Sequence, residues 1–274
     1  MMDHPPIRLL ISDIDGTLVR HDKGLPEANV FAIKEAIARG LMVSLISARP
    51  AAGILPIAAE LGLEGPFGAF NGGTIFTAAG GELCAAQVPT ALAQQLLNLY
   101  AKEGLTIWLF ATNRWLSSDP DNSHTPREVI SSGLQPEAVS DFGPFVADAD
   151  KVVAVCDDPV KMASVELRAR ALVGQSATLV RSQDYYLDCT ALDANKGDCV
   201  TKLAELYGVP IEQVAVIGDQ ANDVAMFRRA GLSIAMGQAS ANVQAEADCI
   251  TSSNEEAGVA HAITRYILPR LARK

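Results

Sequence analysis

Residues 7–12 (IRLLIS) form a short apolar run that ends in acids and a glycine, the pattern of a strand buried in a sheet. Over 27–39, Val30, Phe31, Ile33 and Ile37 recur at helical spacing and Gly40 follows, which predicts a helix and its stop. Residues 41–46 (LMVSLI) predict a second strand, and 51–62 a second helix that ends at Gly62 despite Pro56. Strand, helix, strand, helix predicts a parallel sheet covered by helices. The same order returns towards the C-terminus. There, 196–207 predict a helix, 214–217 a strand, 221–230 a helix, 232–236 a strand, 240–246 a helix, 248–250 a short strand and 255–269 a last helix.

The middle of the chain is patterned differently. Residues 74–76 and 83–88 predict a hairpin around Gly80-Gly81, and 90–103 an amphipathic helix. Strands at 105–110 and 113–117 flank Thr112-Asn113, and a loop rich in Ser, Asp, Asn and Pro covers 117–126. A strand at 151–156, a helix at 159–173 and strands at 176–181 and 185–189 complete the stretch. Helices beside antiparallel strands suggest a small α+β module. The expected division is an α/β domain made of 1–83 and 189–274, interrupted by an inserted α+β domain over 84–188. No internal repeat or low-complexity segment is evident.

Composition narrows the partners. The 274 residues suffice for a large core, and 49% apolar with 20% charged residues is ordinary for a soluble protein. A formal net charge of −10 argues against general affinity for nucleic acid or an anionic membrane. It leaves room for an anionic small substrate, because a metal ion and a few local cations can reverse the sign within one pocket. The start, Met-Met-Asp-His-Pro-Pro, lacks the features of a secretory leader, and no apolar run reaches membrane-spanning length. The five cysteines (84, 156, 189, 199, 249) form no Cys-x-x-Cys pair and have no ligand spacing with the four histidines. Reduced, mostly buried thiols in a cytoplasmic protein are expected.

Four polar clusters stand at ends of strands or openings of helices in the α/β part, where open parallel sheets bind ligands. In Asp13-Ile14-Asp15-Gly16-Thr17, two acids two residues apart face the same way on extended chain. Such a pair calls for a cation or a shared proton, and a hard divalent ion fits; a capped turn with incidental acids explains the segment too. Ser47-Ala48-Arg49 offers a hydroxyl and a guanidinium suited to phosphate oxygens, or a cap beside a surface arginine. Lys196, within Asn195-Lys196-Gly197-Asp198, opens a helix against the dipole, either serving an anion or a buried carboxylate or simply solvated. Gly218-Asp219-Gln220-Ala221-Asn222-Asp223 puts two acids and an amide into a strand-to-helix turn, where Asp219 is also a good N-cap.

Taken together and in this order, the four clusters resemble the motifs of the haloacid dehalogenase superfamily of phosphatases. Asp-x-Asp-Gly-Thr matches at 13–17, Ser/Thr at 47, Lys at 196 and Gly-Asp-x-x-x-Asp at 218–223. The insertion between the second and third motifs, the Gly-Asp-x-x-Asn-Asp form and Asn71-Gly72-Gly73 resemble the Cof-type branch with a C2-type cap. Ala48 stands where that branch often has Gly, and Gly73 where it often has Ala.

The resemblance covers the whole chain and implies a Rossmann-like, doubly wound α/β core with an inserted α+β cap. It implies a cytoplasmic, magnesium-dependent phosphatase acting on a small phosphorylated metabolite, a sugar phosphate or phosphorylated cofactor, through an aspartyl-phosphate. Asp13 would be the nucleophile and Asp15 the general acid and base. Ser47 and Lys196 would bind the transferring phosphoryl group, aided by the Ile14 amide and Asn222, with Arg49 and Asn71 near the substrate. Metal would fall to Asp13, Asp15 (through its carbonyl), Asp219 and Asp223, the last also placed to orient Lys196. Arg114, Trp115 and His124 are candidate contacts in the inserted domain, although Trp108 and Trp115 also read as its core and His124 as a solvated loop residue. A hexose phosphomutase-type phosphotransferase and a non-catalytic, phospho-regulated binding protein are the alternatives. The leaving group has no readable motif, and neither has the choice between monomer and homodimer.

Overall fold

The computed structural model describes residues 5–271. Residues 1–4, on which part of the expectation of no secretory leader rests, lie outside the described residues. The chain begins with β1 (Leu9–Ser12), α1 (Glu27–Ala38), β2 (Met42–Leu45), α2 (Ala51–Leu61), β3 (Phe67–Ala69), β4 (Thr74–Phe76) and β5 (Glu82–Ala85). The middle gives α3 (Thr90–Lys102), β6 (Thr106–Ala111), β7 (Arg114–Ser117), α4 (Thr125–Ser132), β8 (Pro136–Ala138), β9 (Ala149–Val155), α5 (Pro159–Val173), β10 (Ala177–Gln183) and β11 (Tyr186–Ala191). It closes with α6 (Lys196–Tyr207), β12 (Val214–Gly218), α7 (Val224–Phe227), β13 (Leu232–Ala235), α8 (Ala241–Gln244), β14 (Cys249–Ile250) and α9 (Gly258–Ala262).

Two compact units result. One takes in the described residues up to Ala48, Ile54–Leu83 and those from Asn195 onward; the other takes in Arg49–Gly53 and Cys84–Ala194. The first is built on a five-stranded sheet in the order β14-β13-β12-β1-β2, every pair parallel. Leu9 stands level with Val214 and Met42, and Ser12 with Ile217 and Leu45. All four β1 residues are buried, which is why the strand reads as an unbroken apolar run. Leu9, Ile11, Val214 and Val216 pack with Val200 and Leu203 of α6. From β1 the chain steps to β2 on one side, and from β12 to β13 and β14 on the other. The β1–β12 seam is therefore the point where the winding reverses, and the crevice beyond its carboxyl end is where such sheets bind ligands. The antiparallel strands β3 and β4 also belong to this unit.

The second unit is a six-stranded sheet, β10-β11-β9-β6-β7-β8, antiparallel except for the β7–β8 pair. Alternate residues such as Leu109, Leu116, Val152 and Leu187 share a core with Leu96 and Tyr100 of α3 and Met162 and Val165 of α5. The intervening positions hold a cluster of aromatic rings, with Trp108 and Trp115 edge to face at 4.9 Å and Trp108 and Tyr186 at 5.1 Å. Asp158 caps α5 by accepting from the Val160 and Lys161 amides.

The α/β class expected from the pattern is the class observed. Several local expectations are corrected. The polar stretch 117–126 already begins α4 at Thr125, and β3 and β8 are too short for a periodic signal. The hairpin strand expected at 83–88 lies at Glu82–Ala85. The helix expected over 221–230 is a single 3-10 turn followed by the four residues of α7. The last helix breaks at Ala257, whose φ of 55° is left-handed, before α9 and a π turn resume it. His124 is not simply solvated: its ring stacks on Tyr185 at 3.8 Å, and its Nε2 lies 2.6 Å from the Asp157 carboxylate. None of the five cysteines is in a disulfide, and only Cys189 and Cys199 are buried, while Cys84 is exposed. No described helix is long and apolar enough to cross a membrane.

Asn29, wholly buried in α1, donates to the Leu18 carbonyl at 3.0 Å and accepts from the Ala260 amide at 2.9 Å. Asn29→Ala leaves both backbone groups unpaired, so a loss of ~2–4 kcal/mol is expected in urea unfolding. An unchanged unfolding midpoint contradicts this account of how α1, the loop after β1 and α9 are joined.

Candidate active site

Asp13 follows β1 and keeps it in the sheet for one more residue, its amide donating to the Ile217 carbonyl at 3.0 Å. The chain then coils tightly, with the amides of Thr17, Leu18 and Val19 all directed at the Ile14 carbonyl, at 3.2, 2.9 and 3.1 Å. Gly16 is required twice over: its φ is +81°, and a Cβ there would fall 2.4 Å from the Asp219 carboxylate. On the neighbouring strand, a Cβ on Gly218 would stand 2.4 Å from the carboxyl carbon of Asp223. The bare backbone lets Asp223 fold back and accept from the Asp219 and Gln220 amides, both at 2.8 Å. The motif glycines thus make room for carboxylates.

Lys196 is the first residue of α6, capped by Asn195, whose side chain accepts from the Asp198 amide at 2.9 Å. Its position against the helix dipole is explained by what it meets: Nζ donates to Asp13 Oδ1 and Asp223 Oδ1, both at 2.6 Å. All three side chains are at most 5% exposed. Asp219 joins them, accepting from the Thr17 hydroxyl at 3.0 Å and from Gln220 Nε2 at 2.9 Å.

Asp13, Asp219 and Asp223 each bring a carboxylate oxygen within 4.8 Å of the others, and the Lys196 ammonium contacts two of the three. Burial raises the Asp13 carboxyl; the Lys196 ammonium offsets part of this, while Asp223 and Asp219 push it further up. Burial and then the Asp223 carboxylate push Asp219 up to about 6. Burial alone would lower Lys196, but the Asp13 and Asp223 carboxylates outweigh it and raise it. Excess buried negative charge on hard oxygen donors is the environment a divalent cation of the magnesium type relieves, so the donor set fits such an ion.

The other candidates distribute as follows. Asp15, partly exposed, stands outside the carboxylate triad and accepts from Lys23 Nζ at 2.6 Å. Ser47 is buried; its amide donates to the Gly68 carbonyl and its carbonyl accepts from the Asn71 amide. Asn71 adopts a left-handed φ of 60°, and its Oδ1 accepts from Asn222 Nδ2 at 3.2 Å. The Ile14 side chain is buried, which leaves its backbone amide for any contact. Arg49 groups with the second unit, where it donates to the Gly53 carbonyl at 3.2 Å. Arg114, Trp115 and His124 lie in that unit too; Trp115 is core, and Arg114 pairs with Glu137. Sequence reasoning gave no role to Thr17 or Gln220, although both lie inside quoted motifs, and it passed over Lys23, which no spacing rule marks.

A parallel sheet with three carboxylates gathered beyond its β1–β12 seam makes a site that could hold a divalent cation, and the relatives bear on its chemistry directly. Residues 10–263 match the haloacid dehalogenase-like hydrolase family. The chain is 28% identical over 263 residues to the 5-amino-6-(5-phospho-D-ribitylamino)uracil phosphatase YcsE of Bacillus subtilis, covering 96% of each chain. It is 30% identical to the putative phosphatase YxeH of the same organism, covering 96% of this chain and 99% of that one. A crystal structure of a haloacid dehalogenase-like hydrolase from Bacteroides thetaiotaomicron superimposes with a TM-score of 0.88 at 27% identity, covering 94% of this chain and 99% of that one. The chain belongs to the haloacid dehalogenase-like hydrolase family and is an enzyme, a phosphoric monoester hydrolase.

The raised carboxyls carry a stability consequence. A carboxyl raised by folding holds a proton that the unfolded chain releases, so its contribution is full below the ordinary value of 3.8 and is lost as pH climbs through about 6 for Asp219. In chelator, the melting temperature should therefore fall between about pH 4 and about pH 7, and the gain on adding magnesium should grow over the same range. A magnesium gain that shrinks with rising pH contradicts this reading.

Proposed function

We propose that this enzyme is a magnesium-dependent phosphatase that hydrolyses a small phosphorylated metabolite through an aspartyl-phosphate on Asp13. The observation that carries the reading is the buried Asp13 carboxylate, 4% exposed at the end of β1, with Lys196 at 2.6 Å and two further carboxylates around it. A carboxylate so placed is a nucleophile with its charge-balancing cation already in position. Asp13 attacks phosphorus, the bond from phosphorus to the ester oxygen breaks, and the leaving oxygen takes a proton from Asp15. Water then attacks the same phosphorus, gives a proton to Asp15 and breaks the bond to Asp13, releasing orthophosphate.

Ser47, Lys196, the Ile14 amide and Asn222 are proposed to hold the phosphoryl oxygens, where pre-placed donors meet the charge of the transition state. Asn71 is proposed to hold Asn222 and the substrate rim, and Arg49 to serve the substrate as well. Asp13, Asp219 and the Asp15 carbonyl would hold magnesium, with Asp223 spending its oxygens on Lys196 and two amides and so acting in support. When bound, the ion supplies Lewis-acid neutralisation of the phosphoryl oxygens. These residues all come from 1–83 and 189–274, the part we take as the catalytic domain, although Arg49 groups with the second compact unit. The name of the relative YcsE puts a phosphorylated ribitylaminouracil among the first substrates to try.

The test is phosphate release from a panel of phosphorylated metabolites with magnesium, alongside p-nitrophenyl phosphate. Asp13→Asn should lower kcat by at least ~1000-fold, and chelation should abolish turnover reversibly. Full turnover in Asp13→Asn would remove Asp13 as the nucleophile.

A further inference from the structure

The two acids of the Asp13–Asp15 pair each have a lysine of their own. Lys196 serves Asp13 in the buried interior. Lys23 donates to Asp15 Oδ1 at 2.6 Å, with 23% of its side chain and 33% of that of Asp15 exposed. Lys23 sits at the tip of a three-residue hairpin, His21-Asp22-Lys23, closed by the Arg20 amide on the Gly24 carbonyl at 2.9 Å and the Lys23 amide on the Arg20 carbonyl at 3.0 Å. The last loop residue of such a hairpin is left-handed and favours Gly or Asn. Here it is a lysine with φ 67°. A side chain with a Cβ is strained there, and the strain persists only where the surroundings hold it.

The surroundings do hold it. The Asp22 carboxylate accepts from the Gly24 amide at 2.8 Å and from Arg20 Nε at 3.3 Å. The base of the hairpin is tied to the turn at 254–256, since Asn254 Nδ2 donates to the Val19 carbonyl at 3.0 Å and the His21 amide donates to Glu255 at 2.9 Å. Gln238 grips the segment between the two acids and the hairpin, donating to the Gly16 carbonyl at 2.5 Å and accepting from the Asn254 amide at 3.1 Å. The backbone that carries Lys23 is thus held from both sides. Its partner Asp15 is the one motif acid whose carboxylate stays out of the triad of Asp13, Asp219 and Asp223.

We propose that Lys23 is a positioning residue: through its contact with Asp15 it keeps that carboxyl group turned away from the inner acids and aimed for proton exchange with the leaving oxygen. This rests on the role given to Asp15 above. A misaimed proton donor harms esters whose leaving oxygen is a poor anion, and matters far less when the leaving group is a stable phenolate.

Lys23→Gly is the informative variant, because Gly relieves the left-handed strain while removing the ammonium, so the fold is kept. The melting temperature should be unchanged or higher. For an alkyl phosphate, kcat/KM should fall about 10- to 100-fold, and for p-nitrophenyl phosphate by no more than about threefold. Lys23→Arg should restore part of the alkyl activity. An equal fall for both substrates, or no fall for either, overturns the proposal. Asp15→Asn run in parallel separates the two readings: if it too spares the alkyl phosphate, the role of Asp15 fails, whereas if it alone abolishes alkyl turnover, the role of Lys23 fails.

Discussion

A single ammonium, that of Lys196, stands between two carboxylates that are shut away from water, and the architecture of the first unit can be read as what is needed to hold it there. Ions at this depth repay their desolvation only when geometry and hydrogen bonding are close to ideal. Lys196 meets Asp13 and Asp223 at 2.6 Å each, and Asp223 accepts two backbone amides besides. A third acid, Asp219, then leaves the cluster short of positive charge. The site is therefore incomplete as a set of protein groups. Its electrostatics favour a protonated carboxyl, and the same excess charge that costs stability is what would favour the divalent ion proposed for it.

That arrangement is produced by the sheet. β1 and β12 are neighbours in register, Ser12 level with Ile217, so the residues that follow them leave the sheet side by side. Because the winding reverses at this seam, no crossover connection covers its carboxyl end. Four segments far apart in sequence can converge on it, and the two glycines at 16 and 218 are bare because Cβ atoms there would occupy the space of Asp219 and Asp223. Packing, not turn preference alone, accounts for these positions.

This explains which parts of the molecule were legible in the sequence. Buried parallel strands are continuous apolar runs, so β1, β2 and β12 declared themselves, and the clusters that follow them declared the site. The convergence of Asp13, Lys196, Asp219 and Asp223 was legible only as a joint pattern, since each cluster alone has a capping explanation. Elements whose stability comes from partners, and not from their own periodicity, were hidden. β8 is three residues beginning with Pro136, acceptable only because it lies at a sheet edge. His124 reads as a solvated loop residue until the tyrosine it stacks on, sixty-one positions later, is folded beside it. The break in the last helix did carry a local signal, Ser253-x-x-Glu256, whose reciprocal capping bonds restart the chain direction before Ala257 turns left-handed.

Asp13 and Asp15 are the same residue type two positions apart on one strand end, yet they occupy opposite environments. Asp13 lies among like charges with its exposure reduced to 4%, an environment that suits the nucleophile and metal ligand proposed for it. Asp15 is one-third exposed and engaged from the outside by a lysine on a braced hairpin. In the proposed reaction Asp13 bonds to phosphorus, which its burial permits, whereas Asp15 gives and takes a proton in successive half-reactions, which its exposure favours. Two carboxylates in one site acquire two roles when their surroundings differ in this way. The two peptide bonds between them set the spacing; the buried Lys196 and the half-buried Lys23 set the difference.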